Sequence, residues 1–397
     1  MKLNDWILNK HLRIKDSPLY YRLSITILSI LFFIGIFNSL LCNEKPPVAK
    51  TMDGHFVFPA FSDFKNDLGF NITHTTKLDT VFAFALYPPV RYSFDFINAA
   101  QLGVQPPLFS KDKSSRWHTN WLGTEELGRD VTAGLARGLY HSLKIAILAT
   151  FLSVFLGTWY GMVIGYIGDR TLRINIFQIV IRSVFAFLVL FYLYYNEYSW
   201  ALFVFGFGFL VYKFLGKLPL KRYPIPLDTI GTSIITLRKS IPTLIIIFAL
   251  LPLFSKPSSI NTLLILAVIG WTSIAWIIRI QTIEIKSKDY IKSAQSLGVG
   301  MWRMILYHIY PNLKNTVLLL FIFQLGAMIT IEATLSYFGV GIEPSEVSLG
   351  TLLRQAKTNI NAWWLALFPG MVLFLILFCL HLIHTYHQSD TDVRMIE

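Results

Sequence analysis

Of the 397 residues, 54% are apolar or aromatic and only 15% are charged, and the formal net charge is +12. An average soluble domain carries about 25% charged residues, so this composition excludes an ordinary cytosolic enzyme, a disordered chain and a secreted disulfide scaffold. Two cysteines, Cys42 and Cys379, make no framework and imply no metal site, and the positive charge is parcelled out between apolar runs, which speaks for a multi-span membrane protein and against a nucleic-acid partner.

The segment Met1–Arg22 holds five Lys/Arg against two acids and reads as a cytoplasmic N-terminus. Residues 23–42 form an apolar run of spanning length without a small-residue cleavage site, expected to be an uncleaved anchor. Residues 43–138 then carry ten Lys/Arg and ten acids, a balance that fits the outer side. Alternation at His55–Phe58 and Arg91–Ile97 predicts short strands there, and Asn71-Ile-Thr73 is a formal glycosylation sequon to which little weight attaches.

Further apolar runs follow at about 140–165, 176–195, 198–215, 241–255, 260–280, 316–338 and 363–386, making eight with the first. The break Lys213–Lys239 holds six Lys/Arg and one acid, and Arg279–Lys314 holds six and two. Eight spans place both termini and every basic break on one side, so the chain reads as an all-α polytopic membrane protein with a cytoplasmic tail at 387–397.

Four segments carry more specific information. In Trp121-Leu-Gly-Thr-Glu-Glu-Leu-Gly-Arg-Asp-Val131, Thr124 is placed to cap a helix with Glu125 and Glu126 in its first turn. Leu127, Val131 and Leu135 then recur at i, i+4, which predicts an amphipathic surface helix feeding the second span. In the basic break about 281–314, Asp289-Tyr-Ile-Lys-Ser-Ala-Gln-Ser-Leu-Gly298 predicts a short helix ended by a left-handed cap at Gly298, with a second helix stopping before Pro311. Such a helix–turn–helix suits docking of a soluble partner, although a solvated loop would read the same.

The third segment, Ile331-Glu-Ala-Thr-Leu-Ser-Tyr-Phe-Gly-Val-Gly341, puts Glu332 about 24 Å along its helix from Thr316. An acid there is a functional candidate, the alternative being an acid that snorkels to the headgroups or is paired for packing. The fourth is Ser348-Leu-Gly350 followed by Ala362-Trp-Trp-Leu-Ala-Leu-Phe-Pro-Gly370, where the tryptophans suit the membrane interface and Pro369-Gly370 marks a kink or an entry turn. On the second span, Gly157, Gly161 and Gly165 form a GxxxGxxxG face that allows close helix packing.

In this order and spacing the four segments resemble the C-type permease subunit of bacterial dipeptide/oligopeptide ABC importers. Leu122–Asp130 is similar to that family's LGTDELGRD-like stretch, which makes Gly123, Thr124, Gly128, Arg129 and Asp130 gating candidates. Lys292-Ser293-Ala294, Gly298 and Pro311 stand where its ATPase-coupling motif has an EAA-type triplet, a glycine and a late proline, with Asp289 opening the segment. Ile331–Gly341 is similar to its AEASLSFLGLG-like stretch, adding Glu332, Gly339 and Gly341. In the outer loop, Asn43-Glu-Lys-Pro46, Asp53-Gly54, Phe58-Pro59 and Pro89-Val-Arg91 resemble the branch that imports microcin C and longer peptides.

The resemblance implies a type I ABC importer permease bundle at 139–386. It implies no catalytic residue and no cofactor on this chain, with ATP and Mg on partner subunits. Gly216-Lys217 is followed by Leu218 and makes no phosphate loop. The implied partners are a second homologous permease, two ATP-binding subunits or a fused pair, an extracytoplasmic peptide-binding protein and membrane lipid. Two departures stand out. Lys292 reverses a charge where the family often has Glu, and about 174–236 reads as a peripheral two-helix insertion. The competing readings are a nickel or other small-solute permease and a membrane receptor or scaffold. His381, His384 and His387 recur every three residues, but no carboxylate or cysteine accompanies them at close spacing, so interfacial anchoring is the expectation.

Overall fold

The computed structural model describes residues 17–52, 55–67, 82–97, 103–108, 120–169, 173–174, 183–189, 191–192, 198–215, 223–250, 252, 258–343 and 346–396. Among them, five helices are long and apolar enough to cross a membrane: Leu19–Ile36, Val131–Ile167, Ser259–Ser287, Met301–Tyr337 and Trp363–Gln388. The helices in chain order are α1 (Leu19–Ile36), α2 (Asn38–Leu41), α3 (Pro59–Asp67), α4 (Val131–Ile167), α5 (Tyr198–Leu215), α6 (Leu227–Ser240) and α7 (Thr243–Leu250). They continue as α8 (Ser259–Ser287), α9 (Asp289–Ser296), α10 (Met301–Met304), α11 (Tyr310–Tyr337), α12 (Leu349–Thr358) and α13 (Trp363–Ile396). The strands are β1 (Val48–Thr51), β2 (Phe56–Val57), β3 (Phe82–Leu86), β4 (Arg173–Ile174) and β5 (Tyr223–Pro224).

The chain divides into two compact units, residues 1–156, 242–271 and 314–397, and residues 157–241 and 272–313. In the first, the first half of α4 packs with α8, α11, α12 and α13 around Ile145, Ala149, Leu266, Met328, Leu349 and Leu365. The start of α1 lies on the end of α13, where Tyr21 Oη meets His387 Nε2 at 3.2 Å and the Tyr21 and Tyr386 rings sit 4.2 Å apart. The 43–138 loop contributes a three-stranded antiparallel sheet in the order β2-β1-β3, with Ala49 opposite both Val57 and Ala85.

The second unit is built on close helix approach. A Cβ added to Gly161 would stand 2.6 Å from the Ala275 carbonyl oxygen, and one on Gly165 would stand 2.9 Å from that of Arg279. The glycine face of α4 therefore seats α8 directly on backbone, and Gly157 on the same face is buried.

Several sequence expectations change here. Strand Phe56–Val57 falls inside the predicted segment at 55–58, but Arg91–Ile97 is irregular, because after the bridge at Val90 its backbone turns at Phe94–Asp95. No helix starts at Thr124. Gly123 and Gly128 adopt φ of +86° and +74°, and α4 begins only at Val131. Of the run 241–255, the described residues form the eight-residue α7: Pro242 lacks an N–H and holds Ile241 extended, so α6 ends there, and α6 and α7 pass as a span only as a pair bent by 88°. Pro311 does not stop the second helix of the basic break. A π turn at Ile305–Ile309 precedes it, and the widened turn lets the proline ring enter a helix that runs on to Tyr337. Pro369 likewise lies inside α13, which starts six residues earlier. The run 198–215 is helical, whereas 176–195 lies largely, and the sequon at Asn71 wholly, outside the described residues.

The insertion is also smaller than expected. β4 and β5 pair Ile174 with Tyr223 and Arg173 with Pro224, closing its neck. Beyond that neck α6 belongs to the bundle: Ile235 is fully buried, Gly231 lies against Ile164 and Tyr160, and Tyr160 Oη donates to the Gly231 carbonyl at 3.2 Å. Asp228 takes both Nε and Nη2 of Arg279 in a forked ion pair, and Thr229 donates its N–H (2.9 Å) and its hydroxyl (2.8 Å) to Asp169. The basic residues of 213–239 were expected to belong to the peripheral insertion, and local composition gave no sign of these distant partners.

Candidate coupling and gating sites

The coupling candidates form a capped turn within the second unit. α9 is amphipathic: Ile291 is fully buried while Asp289, Lys292 and Ser293 face outward. Its end has the Schellman pattern, in which Gly298 N–H donates to the Gln295 carbonyl (3.0 Å) and Val299 N–H donates to that of Ala294 (3.3 Å). Gly298 holds φ +78° with open space around it, so backbone conformation and not crowding demands glycine. Lys292 Nζ lies 3.0 Å from Asp289 Oδ1, an exposed pair that contributes little stability. The reversed charge at Lys292 is thus paired locally.

This turn is tethered from behind. Lys286 Nζ donates to the Tyr166 carbonyl, Gln295 Nε2 reaches Tyr166 Oη at 3.5 Å, and Asn312 Nδ2 donates to Tyr290 Oη at 3.2 Å. Met304, Ile305, Ile309 and Leu313 are fully buried. Trp159 and Trp302 stack in parallel with ring centres 5.5 Å apart. In front, Leu297 is 84% exposed and Tyr307 72%. A rigidly backed turn that presents a large apolar side chain is suited to receive force from a docked protein. Sequence reasoning missed Tyr166, Trp159 and Trp302; an aromatic residue inside a basic loop was the available signal.

The gating candidates form two knots in the first unit. In the first, Thr124 is fully buried. Its hydroxyl donates to the Gly103 carbonyl (3.0 Å) and accepts from Gln105 N–H (2.8 Å). Trp364 Nε1 donates to the Thr124 carbonyl at 3.2 Å, and a Cβ on Gly123 would stand 2.8 Å from that nitrogen. Trp364 was expected at the interface; it is buried instead, while Trp363 remains exposed. Glu125 pairs with Arg129, and Asn359 bonds Glu126. Asp130, not Thr124, caps α4 by accepting Ala133 N–H at 3.0 Å, and burial pushes its carboxyl up to about 6.

Glu332 is the centre of the second knot. It is fully buried, which removes the snorkelling reading. Ser336 Oγ donates to Glu332 Oε1 at 2.9 Å, and Ser142 and Ser348 lie close to the carboxyl, whose Oε2 has no hydrogen-bond partner among the described residues. Those serines come from α11, α4 and the cap of α12, so one acid joins three helices. Ser348 forms a capping box with Thr351. A Cβ on Gly350 would fall 2.2 Å from the Ala333 carbonyl oxygen, and one on Gly138 would fall 2.9 Å from the Ser348 carbonyl carbon. Gly339 turns the chain at φ +82° after α11, and the Gly341 carbonyl accepts the Thr262 hydroxyl. His141 Nδ1 and Ser259 Oγ hold Glu346 at 3.0 and 3.2 Å, and the His141 bond keeps the Glu346 carboxyl below the usual range.

Replacing Gly350 with Val is expected to destabilise the chain by at least about 1–3 kcal/mol, because backbone rather than a flexible side chain must move. Glu332→Gln keeps the volume and two polar atoms and is expected to spare the melting temperature while reducing transport. Thermal unfolding of the detergent-purified variants beside uptake assays checks both. Equal losses of stability and uptake in Glu332→Gln would leave the acid a packing element only.

Residues 214–393 match the family described as binding-protein-dependent transport system inner membrane component. The peptidoglycan transport system permease protein YejE of Agrobacterium fabrum is 25% identical, over 85% of this chain and 80% of its own length. The oligopeptide transport system permease protein OppC of Mycobacterium bovis is 27% identical, over 76% and 82%. Among solved structures, the inward-facing MetNI methionine ABC transporter aligns with a TM-score of 0.45 at 13% identity, over 67% of this chain and 98% of that one. The family match covers the coupling turn, Glu332 and the last span, and the long relatives extend across the Leu122–Asp130 knot. Over these residues the chain is similar to inner-membrane permeases of binding-protein-dependent ABC import systems.

Proposed function

We propose that this permease carries peptides, handed over at the outer face by an extracytoplasmic binding protein, across the cytoplasmic membrane. It works beside a second homologous permease and two ATP-binding subunits or a fused pair, which hold ATP and Mg. The observation that carries the reading is the backed, capped turn at Asp289–Val299, with Leu297 presented for docking, inside the matched family region. The names of the relatives, oligopeptide and peptidoglycan permeases, support a peptide cargo. The positive-inside pattern supports cytoplasmic termini and a cytoplasmic turn.

Closure of the ATP-binding subunits pushes on this turn, and the helices behind it, tied through Tyr166, pass the displacement to the bundle. The chain supplies no group transfer of its own: its residues dock, transmit and gate. Reconstitution of the chain with its partner subunits in proteoliposomes tests this. Labelled tri- to pentapeptides are expected to accumulate only with ATP and binding protein present. Accumulation of nickel without peptide would overturn the cargo, and failure of the purified chain to capture an ATP-binding subunit would overturn the importer reading.

A further inference from the structure

Lys144 lies thirteen residues beyond the first residue of α4, where the polar run Tyr140-His141-Ser142 gives way to the apolar part of the span, and its side chain is exposed. Among the described residues it has no carboxylate partner, and its ammonium meets only the face of Tyr140, at 5.4 Å. The Tyr140 hydroxyl is already committed to the Asp67 carbonyl at 3.0 Å. An ammonium at that depth needs an anion or a path to the headgroups.

A groove starts at this lysine. Its upper part, about 300 Å³, lies between α1 and α4 and is lined by Phe32, Gly35, Tyr140, Leu143, Lys144 and Leu148 among others. A second part of about 310 Å³ shares Phe32, Leu143 and Ile147 and continues toward Leu28, Leu325 and Leu380. Gly35 allows the approach that forms the upper end, since its Cβ position is 3.4 Å from Tyr140 N. Only 17% of the α1 span is buried inside the protein. The combination is a long apolar channel headed by a cation with no carboxylate partner among the described residues.

We infer that the groove holds an anionic phospholipid, its phosphate on Lys144 and an acyl chain lying between α1 and α4. The charge complementarity selects the headgroup, and the channel selects a lipid over a free anion. Occupancy strengthens the seat of α1 on α4, adding to the packing that Leu28, Leu31 and Ile34 already make with the core. This inference rests on the membrane reading and not on the peptide cargo.

The test titrates the assembled, delipidated importer with phosphatidylglycerol or phosphatidylcholine and reads bound lipid by native mass spectrometry. Phosphatidylglycerol is expected to bind about fivefold tighter, the worth of one cation near an anionic headgroup. Lys144→Gln abolishes the preference, Lys144→Arg keeps it, and Leu148→Trp, which fills an exposed edge of the groove, weakens both lipids. Melting profiles of the variants confirm folding. No preference in the wild type, or an unchanged one in Lys144→Gln, overturns the proposal. Full competition by glycerol phosphate would also overturn it, by showing that the groove takes no chain. So would loss of binding on assembly with a cross-link from residue 144 to the second permease, by making this face a protein interface.

Discussion

Deleting residues 292–298 is expected to reduce ATP-driven uptake to background while leaving the amount of inserted, folded chain unchanged. The deletion removes the outer turns of α9 and the left-handed cap, yet the buried anchors Met304, Ile305, Ile309 and Leu313 belong to the helix that follows and stay in place. A milder version reaches the same point. Gly298→Val forces a β-branched residue to φ +78°, at a cost of about 1–2 kcal/mol, and misdirects Leu297. We expect at least a tenfold loss of uptake, together with loss of the stimulation of ATP hydrolysis by loaded binding protein. Both are measured against chain content in the membrane. Uptake that survives the deletion would show that force enters elsewhere.

The second large effect is a contrast between two excisions. Replacing residues 175–222 by Asn-Gly is expected to yield a folded permease that still binds its ATP-binding subunits. Ile174 and Tyr223 are already opposite each other in an antiparallel pair, and a two-residue turn closes that geometry. Excising 172–236 instead should abolish assembly. It removes Asp228 from Arg279, whose side chain is only 17% exposed, and it uncovers Ile164 by taking Gly231 and Ile235. Orphaning a buried ion costs about 3–5 kcal/mol, enough to unfold a marginal unit. Size-exclusion profiles and capture of the ATP-binding subunit distinguish the two variants. Collapse of the shorter excision would mean that the inserted helices support the bundle, whereas survival of the longer one would make α6 dispensable.

What sequence alone determined are the properties carried by neighbouring residues. Membrane class follows from composition and from apolar runs of spanning length, since hydropathy is a local sum. The capped helix ending at Gly298 was legible because helix, cap and turn lie within ten residues. The order of four motifs pointed to the importer family for the same reason.

Tertiary structure decided what depends on residues far apart in the chain. Glu332 is a three-helix joint only because Ser142, Ser336 and Ser348 converge on it. Trp364 leaves the interface because the Thr124 carbonyl accepts its N–H, and α6 leaves the insertion because Arg279 waits for Asp228. Pro311 and Thr124 misled for a different reason: local propensity marks a helix boundary, but a π turn and the positive φ of Gly123 and Gly128 move it. For Glu332, Trp364 and α6 the free energy comes from pairing polar groups across the fold, and no window of adjacent residues contains all the partners.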